Sequence, residues 1–117
     1  MGVRIVGWGH TKFGRLEDNL EQLIVRSARE AIDHSGVDPA DIDGIWLAHY
    51  NGGLVKDGFP SSLALQIDPQ LRFTPSTRLE NACASGSAAI HGARNAINAG
   101  TAKTALVIGV ELSLIHI

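Results

Sequence analysis

Short apolar runs alternate with segments of helical periodicity along this chain, and that alternation constrains its fold more than any other feature. Val3–Gly9, Ile45–Tyr50 and Thr104–Glu111 are rich in β-branched and other apolar residues, so each is predicted to be a strand. A short strand is also expected just before Asn81. Strands that are joined by helices form parallel or mixed sheets with helices on both faces. The sequence therefore predicts an α/β fold with a parallel or mixed sheet whose two faces are both covered by helices.

The clearest helix is predicted between Asn19 and Gly36. Asn19 and Gln22 have the spacing of a capping box, and Gly36 is a plausible stop. A short helix is predicted over 61–67, and a second long helix runs from Cys83 to Gly100. The residues with 3,4 spacing on one face of the first helix are Leu20, Leu23, Ile24, Ser27, Ala28, Ala31 and Ile32.

The composition excludes several classes of protein. With 117 residues, of which 44% are hydrophobic and 19% charged, the chain is expected to form one small globular domain. The formal net charge is -2 and no basic cluster is present, so no nucleic-acid partner is expected. No apolar run approaches the roughly 20 residues that span a bilayer, so no membrane association is expected. A single cysteine forms no internal disulfide, which favours a cytoplasmic location.

Two further patterns have some features of binding sites. The glycine-rich stretch after the first predicted strand has Gly7 and Gly9 but Lys12 where a dinucleotide fingerprint requires glycine, so an ordinary glycine-rich turn is predicted. No metal site is expected, because no histidine is paired at metal-ligand spacing with another histidine or with Cys83. His91 lies about 12 Å along the helix from Cys83, too far for direct proton transfer. The five histidines are His10, His34, His49, His91 and His116, and His49, at the end of a predicted strand, is the least easily dismissed.

Cys83 is the only cysteine of the chain and begins the second long helical pattern. A lone cysteine commonly serves as a small buried hydrophobic residue, and the small side chains around it also suit a tightly packed helix. At a strand-to-helix turn, however, backbone N–H groups lack intrahelical partners and the helix dipole stabilises a thiolate. A serine-hydrolase elbow would need glycine where Asn81 stands. The residues alone leave both a structural and a nucleophilic Cys83 open.

The segment "ENACASGSAAIHGARNAINAGTAKTALVIGVE" resembles the nucleophile segment of thiolases, the acetyl-CoA acetyltransferase family. The family pattern is Asn, two residues, Cys, one residue, Ser-Gly, then a helix and a strand that ends near Gly-x-Glu. Only one residue separates Asn from Cys here, and "ENACASGS" is similar to the lipid-carrier-type and archaeal-type branch. "VGWGHTKFGRLED" and "GVDPADIDGIWLAHYNGG" resemble the opening strand and the second strand of that branch. The motif residues are Asn81, Cys83, Ser85, Gly86, Gly109 and Glu111.

The resemblance implies acyl transfer between acyl-CoA thioesters through a Cys83 acyl-enzyme, by Claisen condensation or by thiolysis of a 3-ketoacyl-CoA. The backbone N–H of Cys83 is a candidate oxyanion donor. Coenzyme A thioesters are then substrates, and no separate cofactor is expected. The family's catalytic histidines and second cysteine lie in its second half, so no residue here takes those roles, and no substrate-binding residue is assigned. The full-length protein is expected to be a homodimer or a higher oligomer, with 77–81 at the two-fold interface.

Rival interpretations remain open. A ketoacyl synthase-like condensing enzyme shares the fold and the cysteine nucleophile, although "NACASG" favours a thiolase. A non-catalytic thiolase-like scaffold is a second alternative, and a nucleotide-binding α/β domain with a structural cysteine is a third.

The end of the chain carries a separate expectation. Residues 1–111 are expected to be a partial thiolase N-terminal domain, which lacks the last strand of its sheet and is inactive alone. The hexapeptide "LSLIHI", residues 112–117, resembles the translation of a common sequencing adaptor, so it is expected to be a non-native tail.

Overall fold

Strands and helices alternate in the computed structural model, which describes residues 2–51 and 53–112. In chain order the elements are α1 (Leu20–Ser35), β1 (Gly44–Ala48), α2 (Pro60–Leu63), β2 (Ser76–Leu79), α3 (Ser85–Asn98) and β3 (Ala105–Gly109). Short 3₁₀ turns lie at Pro39–Asp41, Ala64–Gln66 and Pro69–Leu71. The predicted α/β class is confirmed.

The three strands form one sheet in the order β2-β1-β3. Both pairings among the described strands are parallel, with Ile45 opposite Ser76 on one side and Leu106 on the other. All three strands therefore end at the same edge of the sheet. Ligand sites of open parallel sheets commonly lie beyond such a carboxyl-terminal edge.

Helices cover both faces of this sheet, as predicted. Ile45 and Leu47 on β1 face α1, whose Ile24 belongs to the same buried cluster. The alternate face of β1 presents Trp46 to α3, where a Cβ added at Gly92 would come within 3.0 Å of the indole. The core residues on the α1 side, including those of the 3₁₀ turns, are Leu20, Ile24, Ala28, Ile32, Ile42, Ile45, Leu47, Ala64, Ile67, Leu71, Leu106 and Ile108.

The predicted capping of α1 is confirmed. Asn19 Oδ1 accepts a hydrogen bond from the Gln22 backbone N–H at 2.8 Å, and Gln22 Oε1 accepts one from the Asn19 N–H at 2.8 Å. Gly36 ends the helix in the left-handed conformation, with φ 72°. That conformation favours glycine because it has no Cβ.

The predicted strand at Val3–Gly9 is wrong for the described structure: this segment has no strand partner. It lies along α1 instead, and the Trp8 N–H donates to His34 Nδ1 at 3.1 Å. The glycines are explained by close approach to the helix rather than by a turn. A Cβ on Gly7 would come within 2.6 Å of Ser35 Cβ, and one on Gly9 would overlap a backbone carbonyl oxygen of α1.

The expected non-native tail lies almost wholly outside the described residues. Only Leu112 of that segment is described, and it packs against the hydrophobic core.

Candidate active site

Cys83 stands in the turn between β2 and α3, two residues before the helix begins. This confirms the predicted strand-to-helix position. Its side chain is exposed, so it is not part of the hydrophobic core. The thiol is thus accessible to a reagent or a substrate.

The turn that presents Cys83 is held by a side chain of the helix that follows it. Ser85 is only 6% exposed. Its Oγ accepts a hydrogen bond from the Asn81 N–H at 2.8 Å and donates one to the Ala82 carbonyl at 2.7 Å. Ala82 adopts φ 46°, a left-handed conformation that is unfavourable for a residue with a Cβ. Ser85 and the Glu80 carboxylate, which accepts from the Ala82 N–H, therefore stabilise a strained backbone directly before Cys83.

The first turn of α3 begins two residues after Cys83. The capping residue Ala84 makes no side-chain cap hydrogen bond. Within the described ranges, the backbone N–H groups of Gly86 and Ser87 have no acceptor. Free N–H groups at the positive end of a helix dipole attract a negative charge. The small side chains here leave the backbone open to a bound group.

Cys83 lines a cavity of about 1150 Å³ that runs between the N-terminal segment, α1, α3 and the unpaired edge of β3. Tyr50 and Glu111 line the same cavity, and His10 does so from the N-terminal segment. The cavity is thus continuous from the turn that carries Cys83 to the carboxyl ends of β1 and β3.

His49 is fully buried just beyond β1. Its Nδ1 lies 3.0 Å from the Val110 carbonyl oxygen, which can only accept, so Nδ1 carries the proton of that bond. The same nitrogen lies 3.3 Å from Glu111 Oε1. Its Nε2 is buried without a hydrogen-bond partner among the described residues. His49 therefore links the ends of β1 and β3 and does not line the cavity.

The other described histidines do not converge with Cys83 into a compact group. His34 accepts from Trp8 as described above, and His91 is exposed on α3. His10 packs edge-on against Phe13, and His116 lies outside the described residues. Within residues 2–51 and 53–112, no three His, Cys, Asp or Glu side chains form a cluster that could hold a metal ion. Over the same ranges, no helix is long and apolar enough to cross a bilayer.

The sequence did not single out Tyr50, nor did it identify the contacts of Arg78 at this edge. Arg78 Nε donates to the His49 carbonyl at 2.9 Å, although the two residues are 29 positions apart. The sequence signal that could have found Tyr50 is its position directly after a buried strand. Polar residues that follow buried parallel strands collect at the carboxyl-terminal edge of the sheet.

Comparisons with known proteins identify the family and the fold of the chain. The family model described as "Thiolase, N-terminal domain" matches residues 3–114. An acetyl-CoA acetyltransferase of Methanocaldococcus jannaschii is 37% identical over 110 residues, which are 93% of this chain and 28% of that protein. The structure of an acetyl-CoA acetyltransferase from Syntrophomonas wolfei matches with a TM-score of 0.70 at 28% identity, over 88% of this chain and 27% of that one.

A 3-oxoacyl-[acyl-carrier-protein] synthase III from Aquifex aeolicus has a TM-score of 0.71 at 24% identity, over 82% of this chain and 30% of that chain, and shows the shared fold alone. This chain spans less than a third of the length of each of these proteins. The family model nevertheless covers nearly all of the chain, residues 3–114, and so includes Cys83 and the turn that carries it. The chain belongs to the thiolase family.

Proposed function

We propose that this chain carries the nucleophile of an acyl-transferring thiolase, and that the nucleophile is Cys83. The thiolate attacks the carbonyl carbon of an acyl-CoA, a new C–S bond forms, and coenzyme A leaves as a thiol after it takes up a proton. Covalent capture divides one difficult transfer into two easier steps. Membership of the family and the exposure of Cys83 at the cavity support this assignment.

The oxyanion that forms during the attack needs hydrogen-bond donors. The backbone N–H of Cys83 is the candidate from the sequence motif. The amides of Gly86 and Ser87, which have no acceptor among the described residues, follow it in the first turn of α3. Donors that are fixed before the reaction stabilise the developing charge without reorganisation. The helix dipole adds to their effect.

The second step requires a carbanion from another acyl-CoA. It attacks the acyl group on Cys83, and the Cys83 thiolate leaves to give a 3-ketoacyl-CoA; thiolysis is the reverse. The base that removes the α-proton is assigned to no residue of this chain. We further propose that the full-length protein is a homodimer or a higher oligomer, since β2 is an edge strand among the described strands. A cytoplasmic location is proposed separately, from the single cysteine of the sequence.

One observation carries the proposal: an exposed cysteine that lines a cavity, in a strained turn just before a helix. The test is to incubate the full-length protein with acetyl-CoA and to locate the adduct by mass spectrometry. We expect one acetyl group on Cys83, none after Cys83→Ala, and loss of turnover after Cys83→Ser. An acetyl group on another residue, or full turnover of Cys83→Ser, would contradict the assignment.

The same assay separates the rival functions. Acetyl-Cys83 that condenses only with a carrier-bound malonyl unit would identify a ketoacyl synthase-like condensing enzyme. A folded protein whose Cys83 never becomes acetylated would favour the non-catalytic scaffold.

A further inference from the structure

Two consecutive peptide groups after β1 are held between a carboxylate and a guanidinium. Glu111 Oε2 accepts from the Tyr50 N–H at 2.7 Å, and Glu111 Oε1 accepts from the Asn51 N–H at 2.8 Å. On the other side, Arg78 Nε donates to the His49 carbonyl at 2.9 Å, and an Arg78 terminal nitrogen donates to the Tyr50 carbonyl at 3.1 Å. Each peptide group therefore has its N–H at the anion and its C=O at the cation. Hydrogen bonds to charged groups are roughly twice as strong as neutral ones.

The backbone at this point needs such support. Asn51 has φ 61°, in the left-handed region. Its side chain stabilises the loop that follows, since Oδ1 accepts from the Gly53 N–H at 3.2 Å and Nδ2 donates to the Val55 carbonyl at 3.2 Å. Two successive N–H groups that converge on one carboxylate form an anion-binding concavity. Glu111 occupies that concavity from the end of β3.

Segment 49–51 is hydrogen-bonded directly to β2, the strand that leads into the turn that carries Cys83. The His49 N–H donates to the Leu79 carbonyl at 3.2 Å, four residues before Cys83. Tyr50 lines the same cavity as Cys83. The distance across the cavity between Tyr50 and Cys83 thus depends on how firmly 49–51 is held.

We propose that Arg78 and Glu111 are positioning residues for Cys83. They hold the peptide groups of 49–51, and thereby fix the position of Tyr50 relative to the turn that carries Cys83. This inference rests on the proposed function of Cys83. Neither side chain need touch the reacting atoms. A misplacement of about 1 Å can cost a catalytic group on the order of 100-fold in rate.

The test is the rate at which acetyl-CoA acetylates Cys83 in the full-length protein, measured over a range of acetyl-CoA concentrations. We expect Glu111→Gln to lower the saturating rate by roughly 10- to 100-fold. The half-saturating concentration should stay within about threefold, because no binding group is removed. Arg78→Lys keeps a cation beside the carbonyls and should retain more activity than Arg78→Ala.

A matched control lies at the amino-terminal ends of the strands, on the side of the sheet away from Cys83. The Asp43 carboxylate also accepts from two successive backbone N–H groups, those of Lys103 at 2.9 Å and Thr104 at 3.2 Å. Asp43→Asn removes the same kind of clamp far from the carboxyl edge. It should leave the acetylation rate within about threefold, whatever it does to thermal stability. Alkylation of Cys83 by iodoacetamide should likewise stay within about threefold in Glu111→Gln, because the thiol remains exposed.

The outcomes separate the two proposals. If wild-type Cys83 is not acetylated, the proposed function fails and this inference fails with it. If the wild type is acetylated and Glu111→Gln and Arg78→Ala match its rate, the positioning role is overturned while the proposed function stands. An equal loss of rate in Asp43→Asn would also overturn it, since the effect would then be one of general stability.

Discussion

Replacement of Ser85 by alanine should increase local opening of the turn that carries Cys83, without a comparable effect elsewhere in the protein. The change removes two hydrogen bonds of the buried Oγ, to the Asn81 N–H at 2.8 Å and to the Ala82 carbonyl at 2.7 Å. At about 1 kcal/mol for each bond, the turn loses about 2 kcal/mol. That value corresponds to an opening equilibrium about 30-fold larger. Native-state amide hydrogen exchange measures it directly, because the Ala84 N–H is protected by its bond to the Asn81 carbonyl at 2.8 Å.

Ser87→Ala is the matched control for this experiment. Ser87 lies two residues further along α3, is exposed, and makes no side-chain hydrogen bond within the described ranges. Protection of the Ala84 amide should then change by no more than about twofold, as is usual for surface substitutions. Equal protection in the two variants would refute the reasoning that Ser85 holds the turn.

Further predictions follow from single features of the structure. The hydrogen bond from the Gln70 backbone N–H holds the pKa of Asp68 below its ordinary value of 3.8, so Asp68 contributes stability above that pH, and the contribution is lost as the pH falls through the lowered pKa. Asp68→Asn should therefore flatten the acid side of the stability curve, and an unchanged slope in thermal unfolding between about pH 5 and 2 would contradict this. Gly9→Ala should displace the N-terminal segment and speed its proteolysis. Gly2→Ala should not, because a Cβ on Gly2 would have no neighbour within 4 Å among the described residues. Ala82→Gly should stabilise the turn by roughly 0.5 kcal/mol, read as slower amide exchange, because glycine relieves the left-handed strain at a smaller entropic cost. The full-length protein should be at least a dimer, and a monomeric mass at micromolar concentration in light scattering would contradict that.

Local patterns were sufficient to predict most elements of the fold. The α1 helix followed from its apolar spacing and from Asn19 and Gln22, whose interaction spans only three residues. The position of Cys83 between a strand and a helix was predicted in the same way. Such features depend on neighbours in the sequence, so the sequence alone can reveal them.

Contacts between distant residues could not be predicted in this way. Val3–Gly9 has the composition of a strand, but strand formation needs a hydrogen-bonding neighbour, and the described sheet provides none. The Glu111 clamp on Tyr50 joins residues 61 positions apart, and no local pattern encodes that pairing. The sequence motif pointed to Glu111 as a marker of the family, whereas its hydrogen bonds emerge only from the parallel register of β1 and β3.

The strand order also means that the ribosome makes β1 well before its partner β3. The central strand β1 pairs with β3 through Gly44 and Ala105, about 60 residues later in the chain. At about 5 to 20 residues per second, a ribosome takes roughly 3 to 12 s to add those residues. During that interval at least one edge of β1 is unpaired in the nascent chain, and both are unpaired until β2 has been made, although Leu47 is fully buried in the folded protein. Chaperones that recognise extended apolar segments can bind β1 during that interval. The interval ends when β3 leaves the ribosomal exit tunnel and can pair with β1.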